Sequence, residues 1–211
     1  MKASEILTEG RNVPCIVVDI QPSYTGIYDG DELPWIDELM QFINQQNSKI
    51  LMFVNAEDQG LTTDTIQDIK VYWEDSGFDP INWNRVEIVD KGFGFFRNWM
   101  DSDIPKWFII RTIREMYQFK HSDSGIMFET GQYSQEYRAI LNKFLEDHYD
   151  EFDEIIMEDS ISIEWTSVAQ LKRFSGSYIM GGGRHECLRE VQLLMNAFNI
   201  KYKTIDNFVY G

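Results

Sequence analysis

The chain has 211 residues, of which 43% are apolar and 14% aromatic, enough to bury a sizeable core and too apolar for a disordered segment. Its formal net charge of -16, with a pI near 4.5, argues against non-specific binding to nucleic acid or to an anionic membrane and describes an acidic, well-solvated surface. Two cysteines make no disulfide framework, so a reducing cytoplasm is expected, and without a signal peptide or a run of about 18 apolar residues no membrane span is expected.

The first strong element is VPCIVVDI, Val13 to Ile20. It is a continuous, β-branched apolar run that ends on Asp19, as in a strand buried on both faces. Pro34 to Gln46 carries Ile36, Leu39, Met40 and Ile43 at helical spacing. Lys49 to Asn55 (KILMFVN) is the second buried strand, Thr65 to Ser76 a helix stopped by Gly77, and Arg85 to Asp90 the third strand. Lys91 then opens a loop rich in glycine and aromatic residues (Phe93, Phe95, Phe96, then Trp99), a candidate pocket wall.

Asp103 to Tyr117 reads as a helix with Pro105 at its start, and Ser134 to His148 as an amphipathic helix. Glu154 to Met157 reads as a short strand, and Trp165 to Phe174 as a helix. Ser177 to Gly181 is a buried strand whose apolar run, Tyr178 to Met180, is followed at once by Gly181, Gly182 and Gly183. Leu188 to Phe198 is the helix after it, with Cys187 in its first turn, and Tyr202 to Val209 is the last strand. Strands alternating with helices predict an α/β fold, a Rossmann-like three-layer αβα sandwich on a mostly parallel sheet, in a single domain spanning 1–211.

In such a sheet a ligand sits beyond the carboxyl ends of the strands. Asp19, Asn55, Lys91 and the 181–187 turn all fall there. Asp19 supplies a carboxylate base, Lys91 a cation, and Cys187 a thiol at a helix N-terminus, where the dipole and a neighbouring cation favour the thiolate. Backbone N–H groups around Gly182, Gly183 and Cys187 form a candidate oxyanion hole. Gln21, Asn55, Gly182, Gly183 and His185 are the candidate substrate contacts. Cys15, inside the first strand, is a packing residue.

The segments VVDIQ (Val17 to Gln21), Asp90-Lys91 and GGGRHEC (Gly181 to Cys187) resemble the isochorismatase-like cysteine hydrolases, the group that includes nicotinamidases and N-carbamoylsarcosine amidases. The resemblance implies an Asp19–Lys91–Cys187 triad that cleaves an amide-type C–N bond of a small molecule through a cysteine thioester. It also implies an oxyanion hole around a cis peptide near Gly182–Gly183 and assembly as a homo-oligomer; no cofactor is expected, and no metal, since Asn55 to Gly60 lacks the Asp-x-His-x-x-His pattern of the nicotinamidases. With Lys91 as the triad lysine, residues at about 103–157 are a helical insertion. The open alternative places the family's lysine loop at 157–166, where Glu158 or Asp159 stands in its place.

Two readings from other classes remain. Asp19 with Glu57, Asp58, Glu158 and Asp159 would suit a divalent cation in a PIN-like nuclease. A non-catalytic binding or scaffold protein on the same fold is the other.

Overall fold

The computed structural model describes residues 12–24, 33–56, 64–91, 97–101, 104–119, 133–158 and 168–210, the side chains of 97–98 and 148–158 excepted. Its centre is a five-stranded sheet of β1 (Cys15–Val18), β2 (Ile50–Val54), β3 (Val86–Asp90), β4 (Ser177–Gly181) and β5 (Tyr202–Thr204), in the order β3-β2-β1-β4-β5. Every pairing is parallel, with Cys15 facing Ile50 on one side and Tyr178 on the other. The α/β expectation therefore holds. β1, β2 and β4 are buried along their whole lengths, which is why each is an unbroken apolar run rather than an alternating one.

The two faces of the sheet are covered by different helices. Cys15, Val17, Ile50, Met52, Val54 and Met180 point to α1 (Ile36–Gln45) and α2 (Ile66–Asp75), where Trp73, Phe42 and Phe78 fill the layer. Ile16, Val18, Leu51, Phe53 and Ile179, the residues in between, point to the other layer. That layer holds α3 (Arg97–Asp101), α4 (Lys106–Phe119), α5 (Gln135–Glu158), α6 (Val168–Lys172) and α7 (Cys187–Ala197). Phe108 is its hub, with its ring stacked at 4.0 Å on Phe144 and at 5.9 Å on Trp99. α2 begins with a capping box, in which Thr65 accepts from the Asp68 N–H and Asp68 accepts from the Thr65 N–H. Among the described residues no helix is long and apolar enough to cross a membrane.

Several sequence expectations change. Glu154 to Met157 is not a strand. It continues α5, which runs without a glycine or proline from Gln135 to Glu158, so the helical ladder never meets a stop. β5 ends at Thr204 rather than Val209, because the chain turns into a 3-10 helix at Asp206–Phe208. A second 3-10 turn, Pro80–Arg85, precedes β3, with Asp79 capping it on the Ile81 N–H. Residues 103–157 contain α4 and most of α5, and α4 packs on α7 and α5. Trp99 belongs to the core, while Phe93, Phe95 and Phe96 lie outside the described residues.

Gly181 sits at φ +78, and a Cβ there would meet the Val18 carbonyl oxygen at 2.3 Å, so this strand end admits no side chain. Gly77 also has positive φ, +95, but the space around it is open. Gly181→Ala is expected to cost at least about 2 kcal/mol in urea unfolding and Gly77→Ala about 1 kcal/mol, since only the former adds a backbone clash to the strain. Equal losses in the two variants would contradict the close packing of β1 on β4.

Candidate functional site

The strand order reverses between β1 and β4, and the chain leaves both strands at their carboxyl ends here, the switch point at which open parallel sheets bind ligands. Asp19 follows β1 and the Gly181–Gly183 turn follows β4. Asp19 has φ 48, a left-handed conformation that costs a non-glycine residue free energy and persists only where neighbours enforce it. Its N–H donates to Phe53 O at 2.9 Å, and its carbonyl accepts from the Tyr210 hydroxyl at 2.7 Å. Tyr210 is itself held by the glycine turn, through its N–H to Gly182 O and through Arg184 N–H to its own carbonyl.

Lys91 follows β3, its N–H donating to Val54 O at 2.9 Å as the last rung of that pairing. Its ammonium lies 3.1 Å from Asp19 Oδ2 and 4.0 Å from Glu190 Oε2, with the side chains of all three no more than 1% exposed. Cys187 opens α7, is nearly buried, and lies close enough to Asp19, Lys91 and Glu190 for their charges to act on its thiol. Asp19, Lys91 and Cys187 thus come together, with the Lys91 ammonium paired to the Asp19 carboxylate. Asp159 and the Glu158 side chain lie outside the described residues.

The electrostatics differ from the sequence expectation. Burial pushes the Cys187 thiol above its ordinary pKa, the Asp19 and Glu190 carboxylates add to that, and Lys91 opposes it without prevailing. The balance of these effects favours the protonated thiol over the thiolate. For Lys91, burial alone would depress the ammonium, but Asp19, Cys187 and Glu190 together outweigh it and hold the pKa above the usual lysine value. Tyr24, pushed up to about 12 by burial, senses Asp19, Lys91 and Cys187 as well.

The other candidate residues have distinct places. Gln21 is fully buried, with its amide spent inside the protein. Its nitrogen donates to Asn55 O and Asp64 Oδ2 at 2.9 Å each, and its oxygen accepts from the Asn55 N–H at 3.0 Å. Asp64 also accepts from the Ser23 N–H and hydroxyl, tying the segment after β1 to the segment before α2. Asn55 donates its side-chain amide to the Tyr24 hydroxyl at 2.8 Å. Gln21 and Asn55 thereby hold the rim of the site in place. Gly182 has φ +65, and a Cβ there would press on the Leu188 N–H at 2.9 Å.

Gly183 O accepts from the Glu186 and Leu188 N–H groups, which fixes the entry of α7. The Cys187 N–H lies in the first turn of α7, outside the intrahelical ladder. No cis peptide occurs among the described residues, so the cis bond implied near Gly182–Gly183 is absent, and positive φ at Gly181 and Gly182 makes the turn instead. His185 is exposed on the same turn. Cys15 is buried in β1, its thiol pushed up to about 12 by burial, consistent with packing. Glu57 and Asp58 lie outside the described residues, and among the described residues no group of three or more His, Cys, Asp or Glu is arranged to hold a metal ion. A cleft of about 150 Å³ between α4 and α7, lined by Lys106, Arg189, Gln192 and Tyr202, does not include the triad.

Glu190, Tyr24, Asp64 and Tyr210 were not among the sequence candidates. Glu190 left a signal, since it stands one helical turn after Cys187 on the apolar stripe shared with Val191 and Leu194. Asp64 and Tyr210 left none, because their partners are far away in the chain.

Lys91→Met should lower stability at pH 7 by about 3–5 kcal/mol, because it strands two buried carboxylates. The double variant with Asp19→Asn should recover part of that loss. A group whose folded pKa is raised contributes fully below its unfolded pKa, here about 10.4, and loses the contribution as pH climbs through the folded value. The gap between wild type and Lys91→Met in urea midpoint is therefore widest at neutral pH and narrows on the alkaline side. A gap that widens above pH 10 would contradict the ion pair. Comparison with protein-family models, with curated proteins and with solved structures returns no match for the chain.

Proposed function

We propose that the chain is a cysteine hydrolase of the isochorismatase-like type, cleaving a C–N bond of a small amide-type substrate. The observation that supports this reading above others is a buried acid–ammonium pair, with a buried thiol in its field, at the switch point of a parallel sheet. Buried ionisable groups are expensive and are kept where they perform chemistry.

In this reading Cys187 Sγ attacks the substrate carbonyl carbon while its proton passes to the Asp19 carboxylate. The S–C bond forms as the carbonyl π pair moves to oxygen, and N–H groups of the 182–187 turn, including that of Cys187, receive the oxyanion. Collapse breaks the C–N bond, Asp19 returns the proton to the leaving amine, and a thioester remains. Water then adds to the thioester with Asp19 as base, and the carboxylate product leaves as Sγ regains its proton. Lys91 holds Asp19 in position and faces the thiolate as it forms. A thiol that rests protonated requires this coupled proton transfer, because little preformed thiolate exists at neutral pH. The segment 103–157 is, in this reading, a helical insertion, and the small-molecule substrate is met in a cytoplasmic, homo-oligomeric enzyme that uses no cofactor.

The test uses p-nitrophenyl acetate as an activated acyl donor and intact-mass spectrometry of the protein. Wild type should carry one acetyl group on Cys187 early in turnover, Cys187→Ala none, and Asp19→Asn should acylate about 10²–10⁴-fold more slowly. Chelator should change none of these rates. Equal acetylation of Cys187→Ala, or loss of reaction on chelation, would overturn the reading.

A further inference from the structure

The triad leaves one buried charge unexplained. Glu190 is fully buried, stands one helical turn beyond Cys187 on the same face of α7, and brings its Oε2 to 4.0 Å from Lys91 Nζ. A fully buried glutamate is rare unless it has a role or a partner. Resting on the hydrolase reading, we infer that Glu190 is a positioning residue of this site. It shares the Lys91 ammonium with Asp19, so that the ammonium stays paired while the Cys187 proton moves to Asp19.

The physics is a division of one cation between two anions. A carboxylate paired alone with a buried ammonium is a weak base, because the pairing favours its ionised form. A second carboxylate on the same ammonium draws part of that stabilisation away. When the proton moves from Cys187 to Asp19, one negative charge leaves Asp19 and one appears on sulfur. Lys91 then stays balanced by Glu190 while it faces the new thiolate. Among the described residues, the charged and titratable groups that face this cluster are Asp19 beyond β1, Tyr24 in the segment after it, Lys91 beyond β3, and Cys187 and Glu190 on α7. Removing the Glu190 charge strengthens the hold of Lys91 on Asp19 and on a thiolate alike. The thiol of a Glu190→Gln protein should therefore ionise at lower pH, while Asp19 becomes the poorer base.

The experiment measures the rate of Cys187 alkylation by iodoacetamide against pH, with Cys15→Ser as the common background. Relative to wild type, Glu190→Gln should shift the profile to lower pH by about one unit, which makes alkylation below the transition about tenfold faster. Acetylation by p-nitrophenyl acetate at neutral pH should not rise in step, since the proton acceptor is weakened. Glu190→Asp keeps the charge but withdraws it from Lys91 by one methylene. It should shift the profile the same way by less, and it serves if Glu190→Gln does not fold. A purely structural Glu190 would lower stability and leave the profile in place. A wild-type profile retained in the variants, or a shift to higher pH, overturns the inference. A wild-type Cys187 that alkylates at no pH overturns the hydrolase reading instead.

Discussion

The buried ion pair between Asp19 and Lys91 is the constraint that the rest of the site depends on. β2 lies between β1 and β3, so the two residues leave strands that are two spacings apart, roughly 10 Å. Only a long side chain bridges that distance beyond the end of β2, and lysine does so while ending in a compact point charge. Asp19 must in turn aim its carboxylate toward Lys91 and Cys187 rather than along the strand. It does so by leaving extended geometry for φ 48, a conformation that aspartate tolerates better than most residues. The Phe53 carbonyl and the Tyr210 hydroxyl hold the strained peptide from two directions. β4 answers the same demand with glycine, since a side chain at Gly181 would strike the Val18 carbonyl just before Asp19.

How much of this was legible depends on whether a residue's role is local. Continuous apolar runs marked β1, β2 and β4, because a strand buried on both faces writes its burial into consecutive residues. Asp19, Lys91 and the Gly181–Cys187 turn were legible because parallel sheets put function at strand ends, and each of these is a polar residue or glycine at or just past the carboxyl end of a strand. A short segment with three apolar residues was not decisive. Glu154 to Met157 suited strand or helix equally, and the helix already running settled it. Tyr210 and Asp64 were invisible because they act through hydrogen bonds to Asp19 and to Gln21, across 191 and 43 positions respectively.

The Cys187 thiol shows where magnitude rather than motif decides. A helix N-terminus and a lysine both lower a thiol pKa, and the sequence shows both. Sequence does not show that the thiol is desolvated, or that a glutamate one turn away faces the same lysine. Desolvation and two carboxylates outweigh one ammonium and a partial dipole, so the direction reverses. The motif reading and the structure agree on which groups meet and differ on where the proton rests.

A site of this kind is stable only inside a well-packed protein. Asp19, Lys91 and Glu190 give up hydration that their mutual attraction restores only in part. The surrounding layers supply the balance through apolar burial. Trp73 and Phe78 pack edge-to-face on one side of the sheet, and Trp99, Phe108 and Phe144 stack on the other. Trp73 joins the two functions, since its indole N–H donates to Ile20 O immediately after Asp19. The high aromatic content of the chain is thus tied to the strained peptide at Asp19, because the same indole that fills the core also fixes the backbone that aims the carboxylate.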